Sequence, residues 1–108
     1  MRKILIAATA AVLVTGAGLF GASAADKLKV GFIYLGPVGD LGWTYQHDLG
    51  RLAMLKEFGD KVETTFLENV SEGPDSERSI EQLARAGNKL IFTTSFGYFL
   101  ATFSVSSM

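Results

Sequence analysis

The apolar and polar positions along this 108-residue chain divide it into an uncharged leader and a longer region of mixed period. After a basic start, "MRK", comes "ILIAATAAVLVTGAGLF", a run of 17 residues without a charge. "GASAAD" follows, in which Ala22-Ser23-Ala24 has the small-x-small form of a signal-peptidase site. Basic start, apolar run and small-residue site in that order predict a secretory signal peptide over residues 1–24, cleaved near Ala24. The run is short for a membrane span and holds Thr15, Gly16 and Gly18, although an uncleaved anchor is the alternative.

Beyond the leader the pattern alternates between two periods. Leu28–Tyr34, "LKVGFIY", is β-branched and aromatic and nearly continuous, as in a strand buried on both faces. Gly36–Gly42 is a loop by composition. From about Thr44 to Phe58 the period becomes helical, with Tyr45, Leu49, Leu52 and Ala53 on one face and Gly59 as a stop. Lys61–Glu68 reads as a second strand. Glu77–Ala86 is helical again, with Ile80, Leu83, Ala84 and Gly87 on one face, Asp75 or Ser76 as N-cap and Gly87 as its end. Asn88–Thr94 is a third strand.

The order β-α-β-α-β with short connections predicts an α/β fold with a parallel sheet and right-handed crossovers. In the common strand order 2-1-3, ligands bind outside the carboxyl ends of the strands, between the first and third. Two loops border that crevice, "GPVGDLGW" (Gly36–Trp43) and "SFGY" (Ser95–Tyr98).

Charge narrows the partners. Removing Arg2 and Lys3 with the leader leaves 8 basic against 11 acidic side chains, a formal charge of −3. Nucleic acid and anionic membrane are therefore poor partners. The chain has no cysteine, so it has neither disulfides nor the residue that carries lipid in bacterial lipoproteins. A soluble exported protein is expected, periplasmic in a diderm host.

Within the crevice loops, Asp40 has two readings, an N-cap for the first helix or a carboxylate that accepts hydrogen bonds from a ligand. Trp43, the only tryptophan, lies off the apolar helix face. It can pack, or it can stack on a flat ring with its indole N–H free to donate. Gly36, Gly39 and Gly42 are spaced G-x-x-G-x-x-G, unlike the dinucleotide fingerprint, and read as turn geometry. Phe96 and Tyr98 can form a second aromatic wall or belong to the core. His47 is the only histidine and reads as a solvated helix residue. With no second histidine and no cysteine, neither a metal site nor a catalytic dyad is expected.

"KVGFIYLGPVGDLGWTYQHDLGR", "ENVSEGPDSERSIEQLARAGNKLIFTTSFGY" and the leader together resemble the basic membrane protein (BMP) family, the PnrA-like substrate-binding proteins of ABC transporters. The resemblance covers Leu28 to Tyr98. It implies a non-enzymatic binding protein, without cofactor or metal, built of type I periplasmic-binding-protein lobes. A purine nucleoside or base would be held between the lobes and passed to an ABC permease, the only contact with the membrane. It implies that Asp40 matches the acidic residue of the first-lobe ligand loop, and that Trp43 matches the aromatic residue stacked on the base. Thr44 takes the place of a polar residue beside it, and Ser95 and Phe96 border the cleft. Family members are about three times longer. The chain is therefore expected to be a first-lobe fragment, with residues 25–98 a partial N-terminal lobe and 99–108 a tail unlike the family. Such a fragment is expected to be marginally stable and to expose apolar groups. Two rival readings are an exported flavodoxin-like enzyme and a nonfunctional truncated product.

Overall fold

The computed structural model describes residues 26–108; the signal peptide expected over residues 1–24 lies outside them. Three parallel strands, β1 (Leu28–Ile33), β2 (Val62–Leu67) and β3 (Leu90–Thr93), form one sheet in the order β2-β1-β3. This is the predicted α/β order, and β1 sits in the middle because its near-continuous apolar run can be buried on both faces. Ile33 is level with Leu67 on one side and with Thr93 on the other, so all three strands release their loops at the same end.

Alternation along β1 separates two cores. Val30, Phe32 and Tyr34 face α1 (Trp43–Phe58) and cluster with Met54 and Phe66. Ile33 faces the other way and packs with Ile80 and Leu83 of α2 (Pro74–Arg85), together with Val70, Tyr98 and Ala101. At Gly31 a Cβ would meet Leu83 Cδ1 at 2.9 Å, so α2 sits close on the sheet there and a side chain at this position would displace the Leu83 side chain.

The inward face of α1 differs from the predicted one. Thr44 and Asp48 are buried, whereas Leu49 and Leu52 are 41% and 47% exposed. A polar network explains the rotation. Asp48 accepts from the Tyr34 hydroxyl at 3.0 Å and from Arg51 Nε at 2.6 Å. The Arg51 guanidinium donates to Thr64 Oγ1 and lies 4.4 Å from the centroid of the Phe66 ring. Each buried polar group gains a partner, and the stacked guanidinium shields the aromatic floor.

α2 also begins earlier than predicted, and neither Asp75 nor Ser76 caps it. Gly73, at φ 90°, takes the cap position and Pro74 opens the helix. Proline suits a first turn because its missing N–H is not needed there. Ser76 is fully buried and donates to the Gly73 carbonyl at 2.6 Å. Ile80 and Leu83 face inward as predicted, but Ala84 is exposed. Gly59 and Gly87 do end their helices in the left-handed region, at φ 45° and 92°.

The last segment forms a third helix, α3 (Phe99–Ser106), on the α2 side of the sheet. Ala101 is buried, Val105 packs against the same core, and Thr102 Oγ1 lies 3.0 Å from Thr93 Oγ1. Its outer face leaves Phe99, Leu100 and Phe103 exposed. Among the described residues no helix is long and apolar enough to cross a membrane.

Candidate functional site

The loop after β1 is folded around Asp40. A 3-10 turn, Val38–Asp40, brings the carboxylate under the first turn of α1. Oδ1 accepts from Gly42 N at 2.8 Å and Tyr45 N at 3.0 Å, and Oδ2 accepts from Thr44 N at 3.2 Å. Those amides are donors a helix leaves unanswered at its N-terminus. They hold the Asp40 carboxyl below its ordinary range, Gly42 contributing most. A carboxylate has about four lone-pair sites, so one on Oδ2 remains open. The capping reading of Asp40 is thus realised in the fold, and a ligand would have to use what is left.

The left-handed residue of this loop is Leu41, at φ 54°, and none of Gly36, Gly39 and Gly42 has positive φ. Leu41 is 78% exposed, so no packing rewards the strain. Thr44 faces inward instead. It is 1% exposed, and its Oγ1 accepts from Gly36 N at 3.1 Å.

Trp43 leaves the helix start on the outer side. The residue is 61% exposed, and its ring meets the His47 ring edge-on, with centroids 4.9 Å apart. The stacking reading left the indole N–H free, but it is engaged, donating to the Thr94 carbonyl at 2.6 Å. That carbonyl lies just beyond β3, so the indole spans from the first crevice loop to the third strand's end and is fixed in orientation.

In the loop after β3 the two aromatics separate. Phe96 is 95% exposed, whereas Tyr98 is fully buried and donates to the Val70 carbonyl at 2.6 Å. Tyr98 is therefore a core residue and not a second wall. Ser95 Oγ caps the 3-10 turn Phe96–Tyr98 and bonds Glu72 Oε1 at 2.6 Å.

Glu72 and Glu68 carried no functional signal in the sequence, yet both shape the site from the β2–α2 loop. Glu68 Oε1 accepts from Val38 N at 2.8 Å, and Asn69 N and Val70 N donate to the carbonyls of Gly36 and Tyr34. One connection therefore braces both crevice loops. Glu68 follows the end of β2 directly and Glu72 lies at the far end of the same connection, but their partners are a distant amide and a serine that no spacing rule links to them.

The structure thus gathers Asp40, Trp43, Ser95 and Phe96 at the carboxyl end of the sheet, with Thr44 beneath them. It is an open face with an oriented indole and an unpartnered phenyl ring. A depression of about 590 Å³ lies at the other end, lined by Lys27, Lys29, Lys61 and Lys89. It sits at the amino ends of the strands, away from where open parallel sheets bind ligands.

Comparison with known proteins gives concordant matches. Residues 27–108 match the family described as ABC transporter substrate-binding protein PnrA-like, so the match includes the tail that the sequence reading had set apart. A purine-binding protein of Brucella abortus (strain 2308) is 61% identical over 103 residues, or 95% of this chain and 28% of that protein. A putative ABC transporter glucose-binding protein of Haloferax volcanii is 38% identical over 78 residues, covering 72% of this chain and 19% of that one. The chain thus spans less than a third of the length of either relative.

Proposed function

The chain belongs to the PnrA-like family of ABC transporter substrate-binding proteins, and from that premise we propose that its crevice end reads a purine nucleoside or base for import. In this reading the protein is exported, acts without bond chemistry, cofactor or metal, and delivers its ligand to an ABC permease. The described residues are part of the first of two lobes, which would close on the ligand from both sides.

The carrying observation is Trp43. The residue is 61% exposed, yet its indole is pinned by the bond from Nε1 to the Thr94 carbonyl. An indole held this way loses little freedom when a flat ring stacks on it, which favours stacking over a loose aromatic. Phe96 supplies a neighbouring apolar edge, and the open lone pair on Asp40 and the Ser95 hydroxyl supply polar contacts. Thr44 acts indirectly, by holding Gly36 and hence the loop. The purine-binding name of the 61% identical relative supports the ligand class.

A second reading is a sugar ligand. The 38% identical relative is named as putatively glucose-binding, and an indole face also suits a sugar's C–H surface. Emission of Trp43, the sequence's only tryptophan, separates the two. Titration with adenosine, guanosine, inosine, their bases and glucose should quench it with the purines and leave it unchanged with glucose. Trp43→Ala should weaken purine binding in calorimetry by about 5- to 150-fold, from a stacking worth of about 1–3 kcal/mol. A response to glucose alone would move the assignment to sugars.

A further inference from the structure

Positive charge gathers at the end of the sheet opposite the crevice. Four of the five lysines among the described residues, Lys27, Lys29, Lys61 and Lys89, line the depression of about 590 Å³ at the amino ends of the strands. The strands set them side by side. Lys27, Lys61 and Lys89 each stand immediately before a strand, β1, β2 and β3 in turn. Lys89 N donates to the Lys29 carbonyl at 2.9 Å, which fixes those two residues next to each other. Like charges level on adjacent strands destabilise a sheet, so this grouping is a cost to the fold.

The cost is not offset from within. Among the described residues all three arginines form ion pairs, Arg51 with Asp48, Arg78 with Asp75 and Arg85 with Glu81, and no lysine does. Asp26 and Glu63 line the same depression, and Glu63 is level with Lys29 in the β1–β2 register. The Lys29 ammonium nevertheless turns to the Ala86 carbonyl, just past the end of α2, at 2.7 Å. Lys29 thus answers the negative end of that helix. Lys27, Lys61 and Lys89 are exposed and take part in no ion pair or side-chain hydrogen bond among the described residues.

Four ammonium groups therefore share one concavity with two carboxylates, in a chain whose basic and acidic side chains number 10 and 11. At the crevice end the sign is reversed. The connections Tyr34–Gly42, Glu68–Gly73 and Thr94–Tyr98 contain Asp40, Glu68 and Glu72 and no lysine or arginine. We propose that the amino-end depression is a second binding site, for a small soluble anion that carries two or more phosphate groups. Its volume falls within the range of small-ligand sites, and a concave seat suits a compact ligand better than a flat lipid surface. Lysine binds phosphate as a mobile point charge. Three free ammonium groups at the starts of three strands can converge on separate phosphate oxygens, and the bound anion relieves their mutual repulsion. The site is separate from the crevice and does not depend on the purine reading.

Sodium pyrophosphate is the probe, titrated into the ¹⁵N-labelled chain against sodium chloride at matched ionic strength. The amide resonances of Leu28, Val62 and Leu90 should move along a saturating curve with pyrophosphate and stay in place with chloride. Inorganic phosphate, with one group, should bind more weakly. Replacing the three free lysines together, Lys27→Gln, Lys61→Gln and Lys89→Gln, should weaken pyrophosphate binding by about tenfold or more, since three exposed charge contacts are lost. Trp43 emission and the thermal midpoint check that this variant folds. If it does not, the three single changes replace it, each weakening binding by about twofold. In a second arm, pelleting with phosphatidylglycerol vesicles should be the same for the unsubstituted chain and the variant.

The absence of shifts with pyrophosphate, equal shifts with chloride, or a binding curve unchanged by the substitutions would overturn the proposal. So would pelleting with the vesicles that is lost in the variant, because the lysines would then face lipid headgroups and not a soluble ligand.

Discussion

The Tyr34 hydroxyl donates to the Asp48 carboxylate at 3.0 Å, tying the end of the central strand to the second turn of the helix that follows it. Arg51 closes the arrangement with bonds from Nε and a terminal nitrogen to the two oxygens of Asp48. The loop carrying Asp40 and Trp43 is strung between these two anchored points. Its geometry is therefore set by a buried network on the α1 side of the sheet.

Asp48→Ala should be severe, because it leaves a guanidinium and a buried phenol without their shared acceptor. A loss of about 2–4 kcal/mol is expected. Tyr34→Phe removes one hydrogen bond to a charged group and should cost about 1–2 kcal/mol. The double variant should lose less than the sum, since both single changes break the same bond. Urea unfolding followed by far-UV circular dichroism gives the four values; strict additivity would mean that the two groups act separately.

Leu41 offers the opposite test. It sits at φ 54° and is 78% exposed, so its side chain contributes strain and little packing. Leu41→Gly should stabilise the chain by about 0.5–1 kcal/mol, the relief of strain outweighing the entropy glycine adds to the unfolded chain. In a domain of this size that raises the thermal midpoint by about 2–8 °C. A lower midpoint would show that the leucine packs in solution.

Much of the fold was legible in the sequence, and the reasons are local. Leu28–Tyr34 and Asn88–Thr94 carry enough β-branched and aromatic residues to mark strands, and Gly59 and Gly87 mark two helix ends. The face of α1 was not legible. Leu49 and Leu52 have the right period for a core, but the inward side is chosen by Asp48 and Arg51, whose partners lie on other strands. α3 was missed because "FLATFSVS" has no cap or charge of its own; it follows directly on the 3-10 turn Phe96–Tyr98 that Ser95 caps, and it is held by Ala101 against the α2 side of the sheet. At the site, Trp43 and Phe96 were visible as aromatics on loops. The roles of Glu68, Glu72 and Thr94 depend on backbone atoms that composition does not reveal.

The pH dependence of stability should have two limbs. Burial, and then the charge of Glu72, push the Tyr98 hydroxyl up to about 12, and Tyr34 moves in the same direction through burial and its bond to Asp48. An unfolded tyrosine titrates near 10. Above about pH 10 the unfolded chain therefore loses protons that the folded chain keeps, and stability falls as pH rises towards 12. On the acid side Asp40 has the opposite sign, because its folded value is depressed. Its contribution is present above the ordinary carboxylate range and is lost as pH falls through the lowered value. Urea midpoints measured across pH should show both limbs, and Asp40→Asn should flatten the acid one while leaving the alkaline one in place.

The outer face of α3 should govern how the chain behaves at high concentration. Phe99, Leu100 and Phe103 fall at i, i+1 and i+4 and are 66%, 77% and 67% exposed. Together they form an apolar patch on a helix whose own inward contacts are carried by Ala101, Thr102 and Val105. Contiguous apolar patches on a helix drive association, while substitutions on such a face leave the fold nearly unaffected. Leu100→Lys with Phe103→Glu should therefore reduce light scattering and the weight-average sedimentation coefficient at high protein concentration. The unfolding free energy in dilute solution should change by less than about 0.5 kcal/mol. Unchanged association in the double variant would locate the adhesive surface on the free edge of β3 instead. There Leu90 and Phe92 are 43% and 42% exposed beside unpaired backbone, and Phe92→Lys should then be the change that disperses the chain.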